Sequence, residues 1–193
     1  FGFLMSIRIL GGVAKSFEIK TPKNFATRPT LSLLKRKIFD RYQDWSQFRI
    51  YDLFGGTGSI AFEAASRGCK HVNIYETNSK AYKLLLENKK RLKQKYELGE
   101  INIHSYSCIK EKNFISTEEI KNIYYIDPPF DQPNLYASVF DHLSLEKGIF
   151  MIEGDDVKTG KASDLMVKFE HIQHSMVKVY QKGSHFIIIC NPE

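Results

Sequence analysis

The chain has little of what would place it outside a reducing, aqueous compartment. Its 193 residues hold three scattered cysteines, Cys69, Cys108 and Cys190. No C-x-x-C pair or Cys/His cluster points to zinc, so reduced thiols in a cytoplasmic protein are expected. The six histidines show no metal-ligand spacing, and no metal is expected. No apolar run is long enough to span a bilayer. A basic start followed by a long apolar stretch is also missing, so no signal peptide is read. Phe1-Gly2-Phe3-Leu4, ahead of Met5, fit a native start or a tag remnant equally well. There are no internal repeats and no low-complexity linkers. With 42% hydrophobic residues, a chain of this length buries a full core, and one domain is expected. Acid is the scarcer charge: 22 Asp and Glu against 28 Lys and Arg leave +6 at pH 7. That balance favours a polyanionic partner, of which nucleic acid is the usual one.

What is present centres on Tyr124-Tyr125-Ile126-Asp127-Pro128-Pro129-Phe130. A short apolar run reads as a buried strand. Pro129 has no N–H and biases Pro128 towards an extended backbone, so the strand stops in a stiff turn. The turn displays the Asp127 carboxylate, the Pro128 carbonyl and the Phe130 ring. Two fixed acceptors beside a flat ring suit a planar amine. A plain strand-to-loop turn explains the same residues, because Pro-Pro marks turns generally.

In chain order, Ile7–Leu10 reads as a short strand running into Gly11-Gly12, with Phe17–Ile19 as its hairpin partner. Thr30 is placed to cap a helix with apolar Leu31, Leu34, Ile38 and Phe39, and a basic side of Lys35, Arg36, Lys37 and Arg41. Arg49–Phe54 reads as the first central strand. It enters Gly55-Gly56-Thr57-Gly58, and a helix follows from Ser59 to Arg67, closed by Gly68. His71–Tyr75 is the next strand, ending on Glu76. This is a dinucleotide-type βαβ unit: glycines let backbone approach a ligand, and the acid grips ribose hydroxyls. NAD and S-adenosylmethionine both fit it. Asn78 caps a helix to about Tyr96, with a lysine-rich end. Ile101–His104 is a third strand, Leu135–Leu143 a helix and Gly148–Glu153 a fifth strand. Strands over Leu165–Ile172, Met176–Tyr180 and His185–Cys190 complete an open α/β sheet. Both special turns then lie at the carboxyl ends of strands, where such sheets bind ligands.

Taken together, these pieces resemble the RsmD family, which methylates N2 of the guanine conventionally numbered 966 in 16S ribosomal RNA. The resemblance covers nearly the whole chain from Ile7. It is carried by Ile7–Gly12, Arg28-Pro29-Thr30, Asp52–Ser59, Glu63-Ala64, Ser66-Arg67-Gly68, Glu76, Asn88, Asp127–Phe130 and Glu153. The selective pieces are the early R-I-x-G-G and R-P-T, because D-P-P-[FYW] also occurs in adenine-N6 DNA methyltransferases. Two departures stand out. Leu33 and Arg36 occupy positions where the family usually has arginine and glutamate. Tyr106, with Ser107 next, stands where the family often has an acid or asparagine near the adenine.

The resemblance implies the class I methyltransferase fold: a Rossmann-like, mostly parallel seven-stranded sheet with a reversed terminal strand. Residues 1–48 would be an RNA-contacting hairpin and helix extension of the same domain, and 49–193 the methyltransferase domain. It implies S-adenosylmethionine held by Asp52, Phe54, Gly56, Gly58, Glu76, Thr77, Ser107 and Asp127. Asp127, Pro128 and Phe130 would be catalytic. Arg8, Arg28, Thr30, Lys35 and Arg36 would contact RNA in a small subunit or assembly intermediate, and the protein is expected to act as a monomer without a membrane. Three rivals remain at this level: an adenine-N6 DNA methyltransferase, an NAD-dependent oxidoreductase, and a non-catalytic RNA-binding protein on the same fold.

Overall fold

The computed structural model describes residues 7–21, 29–42, 44–115, 117, 119–132, 134–144, 146–167 and 176–191. Two short strands, β1 (Ile7–Arg8) and β2 (Glu18–Ile19), pair antiparallel with Ile7 opposite Ile19. Helix α1 spans Pro29–Arg41. The central sheet then unfolds as β3 (Phe48–Asp52), α2 (Ser59–Ser66), β4 (His71–Tyr75), α3 (Ser79–Lys93) and β5 (Glu100–His104). It continues with β6 (Lys121–Ile126), α4 (Asn134–His142), β7 (Ile149–Asp155), α5 (Ala162–Val167), β8 (Met176–Lys182) and β9 (His185–Asn191).

The seven strands lie in the order β5-β4-β3-β6-β7-β9-β8. They run parallel through β7, and β9 is antiparallel to both its neighbours. This is the expected sheet with its reversed terminal strand. The chain moves outward from β3 to β5, then returns to place β6 on the other side of β3. That reversal opens a crevice at the carboxyl ends of β3 and β6.

Helices cover both faces of the sheet, so β3 and β7 are buried at every position and show no in-and-out alternation of burial. On one face Ile50, Phe62, Ile74, Leu85 and Met151 pack with the hairpin and α1. On the other, Tyr51, Tyr124 and Phe150 stack across three strands, with 5.3 Å between successive ring centroids. Asn78 caps α3, its side chain accepting the Lys80 and Ala81 N–H groups.

The hairpin is docked rather than free. Val13 N–H donates to the Ser66 carbonyl at 2.8 Å, and Ser66 Oγ donates to the Gly11 carbonyl at 2.6 Å. Gly12, at φ 76°, lies so close to the Ser66 carbonyl that any Cβ there would overlap it. Asn88 of α3 is fully buried and exchanges two 2.9 Å hydrogen bonds with the Lys20 backbone, extending the hairpin's attachment.

Two local expectations are corrected. α1 begins at Pro29, so Thr30 lies inside the first turn instead of capping it. Proline is pre-organised for that first position. Leu165–Val167, read as the start of a strand, closes helix α5. Asp164 reaches back to accept the Lys161 N–H at 3.1 Å, a capping interaction that outweighs the short apolar run. The remainder of that expected strand, 168–172, lies outside the described residues.

Candidate active site

The crevice holds a cavity of about 1010 Å³. Each central strand delivers side chains to it. Asp52 ends β3, Glu76 follows β4, Asp127 follows β6, and Glu153 lies in β7. Four carboxylates from four neighbouring parallel strands thus converge on one space.

The glycine loop forms one wall. Gly55 N–H donates to the Tyr75 carbonyl and Gly58 N–H to the Gly55 carbonyl, at 2.8 and 2.7 Å. Gly56 lines the cavity. Its N–H donates to Glu76 Oε2 at 2.8 Å, while Glu76 Oε1 accepts the Asn78 N–H at 2.6 Å. The carboxylate is fixed by backbone at both oxygens, and each oxygen keeps lone-pair capacity for hydroxyl donors. Gly58 does not line the cavity. It caps α2 in the left-handed region (φ 75°), where a Cβ would collide with the Phe62 ring. The lack of a side chain at Gly58 serves packing against Phe62 and Leu85.

The Asp-Pro-Pro-Phe turn forms the facing wall. The Pro129 carbonyl accepts the Gln132 N–H at 2.9 Å and closes the turn. Asp127, Pro128 and Phe130 all line the cavity. Burial, then Glu153 and Asp52, push the Asp127 carboxyl well above the usual range. Glu153 is raised to about 7 by burial, against a hydrogen bond from the Tyr125 hydroxyl that lowers it. Asp52, 2% exposed, is likewise raised to about 7, chiefly by burial. Its Oδ1 has no hydrogen-bond partner.

Phe54, Thr77 and Ser107 also reach the cavity, as does Arg8 of the hairpin. Arg8 is bridged to Glu18 at 2.7 Å on an exposed surface, so the pair contributes little to stability. Tyr106 lines the cavity beside Ser107, and its hydroxyl and that of Tyr75 both donate to Glu111 Oε2, at 3.0 and 3.1 Å.

The expected RNA set divides. Arg36 is exposed and away from the cavity. Arg28 lies outside the described residues, and Thr30 is described in its backbone alone. Lys35 departs most from expectation. It is 7% exposed and turned into the cavity wall, with Nζ 3.4 Å from Glu63 Oε2. It does not share the solvent face of Arg36. The reason is the buried acid: Glu63 is fully buried and binds Arg67 Nε at 2.8 Å and the Leu10 N–H at 2.7 Å. A carboxylate inside an otherwise apolar helix was the sequence signal for this cluster, since buried charge is retained only when paired.

Sequence reasoning also missed Tyr125, Lys158 and His185. Lys158 Nζ lies 5.5 Å from the Phe130 ring centroid, and the buried His185 places Nδ1 3.1 Å from Asp155 Oδ2. Both line the cavity, yet they come from β7, β9 and their turns, which no local motif ties to the Asp127 turn. Among the described residues, no helix is long and apolar enough to cross a membrane.

Comparison with known proteins agrees with this architecture. The family described as Conserved hypothetical protein 95 matches residues 7–183. Ribosomal RNA small subunit methyltransferase D of Haemophilus influenzae is 29% identical over 126 residues, which is 64% of each chain. The chain spans about half of the length of another curated relative, an uncharacterised methylase of Rickettsia prowazekii (53%). Among solved structures, a putative methyltransferase from Escherichia coli superposes with a TM-score of 0.72 at 18% identity, covering 97% of this chain and 98% of that one. A T. thermophilus 16S rRNA N2 G1207 methyltransferase, in complex with AdoMet and guanosine, gives 0.64 at 14% identity, covering 98% of this chain and 44% of that one. The sheet order, the cavity at its switch point and the match over 7–183 converge: this chain belongs to the Conserved hypothetical protein 95 family, the RsmD methyltransferases its sequence resembles.

Proposed function

We propose that the protein transfers a methyl group from S-adenosylmethionine to the exocyclic N2 of a guanine in small-subunit ribosomal RNA. The observation that carries this is the convergence of Asp127, Pro128 and Phe130 with Gly56 and Glu76 in one cavity. An oxidoreductase accounts for the glycine loop and Glu76 but gives the Asp-Pro-Pro-Phe turn no task. The position, guanine 966, comes with the family resemblance. The neighbour that holds AdoMet and guanosine supports the pairing of such ligands on this fold.

The residues present fit the cofactor. Gly56 admits a ligand close to backbone, Glu76 offers fixed acceptors for a ribose diol, and Asp52 brings an unpartnered buried oxygen. Phe54, Thr77 and Ser107 complete that side. When bound, S-adenosylmethionine supplies an electrophilic methyl on a sulfonium.

The protein's task is then to hold and turn a weak nucleophile. The guanine must leave its stack to enter the cavity. Phe130 stacks on the base. Asp127 and the Pro128 carbonyl accept the two N2–H groups, which turns the nitrogen lone pair towards the methyl. Alignment of this kind supplies several kcal/mol of a barrier. Asp127 sits among Glu153 and Asp52 in a site that raises its affinity for a proton. It is therefore a better acceptor for the proton leaving N2 than an ordinary carboxylate. Arg8, Arg28, Thr30 and Arg36 of the N-terminal segment are assigned to the RNA.

A second reading, adenine N6, is favoured by the same turn. Both are tested by supplying labelled S-adenosylmethionine to small-subunit particles that lack N2-methylation, then identifying the labelled base after nuclease digestion. Label in N2-methylguanine is expected. Label in N6-methyladenine would replace the substrate, and no label at any assembly stage would overturn the enzyme reading.

A further inference from the structure

Three lysine or arginine side chains line the cavity among the described residues, and two of them are matched to acid: Arg8 to Glu18 and Lys35 to Glu63. The third, Lys158, is exposed at the rim and forms no ion pair with a described residue. Its Nζ lies over the Phe130 ring, 5.5 Å from the centroid.

Loops are ordinarily the mobile part of a fold, yet the turn that carries Lys158 is tightly built. Asp155, 2% exposed at the end of β7, organises it. The Asp155 carbonyl accepts the Lys158 and Thr159 N–H groups at 3.0 and 2.7 Å. Its Oδ1 accepts the Val157 N–H at 3.1 Å, and Thr159 Oγ1 accepts the Asp155 N–H at 2.9 Å. The other carboxylate oxygen, Oδ2, accepts from Ser184 Oγ at 2.8 Å and lies 3.1 Å from His185 Nδ1. His185 in turn meets Phe130 edge to face, with 6.2 Å between ring centroids. One buried carboxylate therefore fixes both neighbours of the Phe130 ring.

A nucleotide's phosphate lies one ribose away from its base. A base stacked on Phe130 thus brings the RNA backbone past the rim where Lys158 stands. That backbone is polyanionic, and the cavity behind it gathers Asp52, Glu76, Asp127 and Glu153. Like charges at such range repel, and a cation placed between them offsets the repulsion. Resting on the methyl-transfer reading above, we propose that Lys158 binds a backbone phosphate of the flipped nucleotide while its base lies on Phe130, with Asp155 as the positioning residue of that contact. A phosphate grip is made alike before and during methyl transfer, so it acts on KM and leaves kcat nearly unchanged.

The test is steady-state methyl transfer by the full chain to small-subunit particles lacking N2-methylation, repeated over a range of salt. Lys158 is exposed, so its substitution leaves the core intact. Lys158→Gln should raise KM for particles by about tenfold at low salt, the low end for a charge-assisted hydrogen bond. It should change kcat by less than about threefold. The fall of log kcat/KM with log salt should become shallower by about 0.7 to 1, the mark of one lost phosphate contact. Lys158→Arg should keep the wild-type slope. Asp155→Asn removes a negative charge, which by itself tightens binding to a polyanion; as a positioning residue it should instead raise KM. An unchanged KM and slope in Lys158→Gln, or a loss confined to kcat, overturns the phosphate contact, and Asp155→Asn with KM at or below wild type overturns the positioning role. A wild type that labels no base overturns the methyl-transfer reading itself, and this contact with it.

Discussion

Asp52 should be held in place for its ligand at the expense of the fold, and Asp52→Asn measures that expense. Its carboxyl rises from the ordinary 3.8 to about 7 in the folded protein, mainly because burial strips its hydration. The ionised form is therefore disfavoured by roughly 4 kcal/mol, at 1.36 kcal/mol for each tenfold change in proton affinity. The sign follows from linkage. Between about pH 4 and 7 the native state binds this proton more tightly than the unfolded chain, so stability falls as pH rises through that window. Asparagine removes the charge at nearly constant shape. Its amide leaves buried donors to satisfy, at a cost of about 1–3 kcal/mol. The net expectation at pH 8 is a gain of about 1–3 kcal/mol, or a melting temperature higher by roughly 2–12 °C for a chain of this size. Relief of Asp127, which feels the Asp52 charge, adds to it. Thermal unfolding of both proteins at pH 8 and pH 4.5 is the assay. The gain should shrink or reverse at pH 4.5, where the wild-type carboxyl is mostly protonated in the native state. A variant no more stable than wild type at pH 8, or equally stabilised at both pH values, refutes the reasoning. Affinity for S-adenosylhomocysteine should fall in the same variant, the trade-off expected where a site is built from under-satisfied groups.

Three further outcomes follow from particular contacts. Asp127→Ala should slow methyl transfer by about 10²- to 10⁴-fold with cofactor affinity, read by calorimetry, changed only a few-fold; joint loss of both would assign the acid to the fold or the cofactor. Glu63→Gln leaves Lys35 and Arg67 without their shared buried anion, and the urea midpoint should report a loss of roughly 3–5 kcal/mol; a loss below about 1 kcal/mol would mean the cluster is not tightly paired. Gly12→Ala forces a Cβ onto the Ser66 carbonyl in a left-handed backbone, so equilibrium unfolding should show a loss of about 2 kcal/mol or more, and an unchanged midpoint would contradict the docked hairpin.

The strand–helix order, the glycine loop and the acid-bearing turn were legible because each is written locally. A buried strand is a short apolar run, a left-handed turn needs glycine, and proline stops a ladder. The hairpin pairing followed from the same turn chemistry at Gly11-Gly12. What the sequence hid depends on partners distant in the chain. Lys35 looks like a member of a basic helix face, with Arg36 and Lys37 beside it; only the position of Glu63, 28 residues later, turns it inward. Gly58 satisfies a ligand-loop pattern, yet its lack of a side chain is needed for Phe62 and Leu85. α5 is hidden because three apolar residues, Leu165–Val167, carry no period, and the capping contact from Asp164 that marks the helix is visible only in the fold.

The placement of acids in this fold has a single geometric origin. In a parallel sheet the carboxyl ends of all the strands point the same way, so a residue at or just beyond the end of each one meets the others in the crevice. Asp52, Glu76 and Asp127 are three such residues, and Glu153, inside β7 one step beyond the Ile126–Ile152 pair, meets them there. Their convergence is electrostatically costly: Glu153 and Asp52 raise Asp127, and Glu76 raises Asp52. A chain with an excess of six basic charges nevertheless concentrates acid at this one edge. The cost makes sense if the ligands bring the missing donors. A ribose diol and an exocyclic amine are donor groups, and donors of that kind would ease the mutual repulsion of acceptors gathered at one edge. On the function proposed above, binding and catalysis would draw on the same reserve: acceptors for a cofactor's hydroxyl groups would stand beside those that orient an amine, and the raised proton affinity of Asp127 would suit it to take the proton that methylation must release.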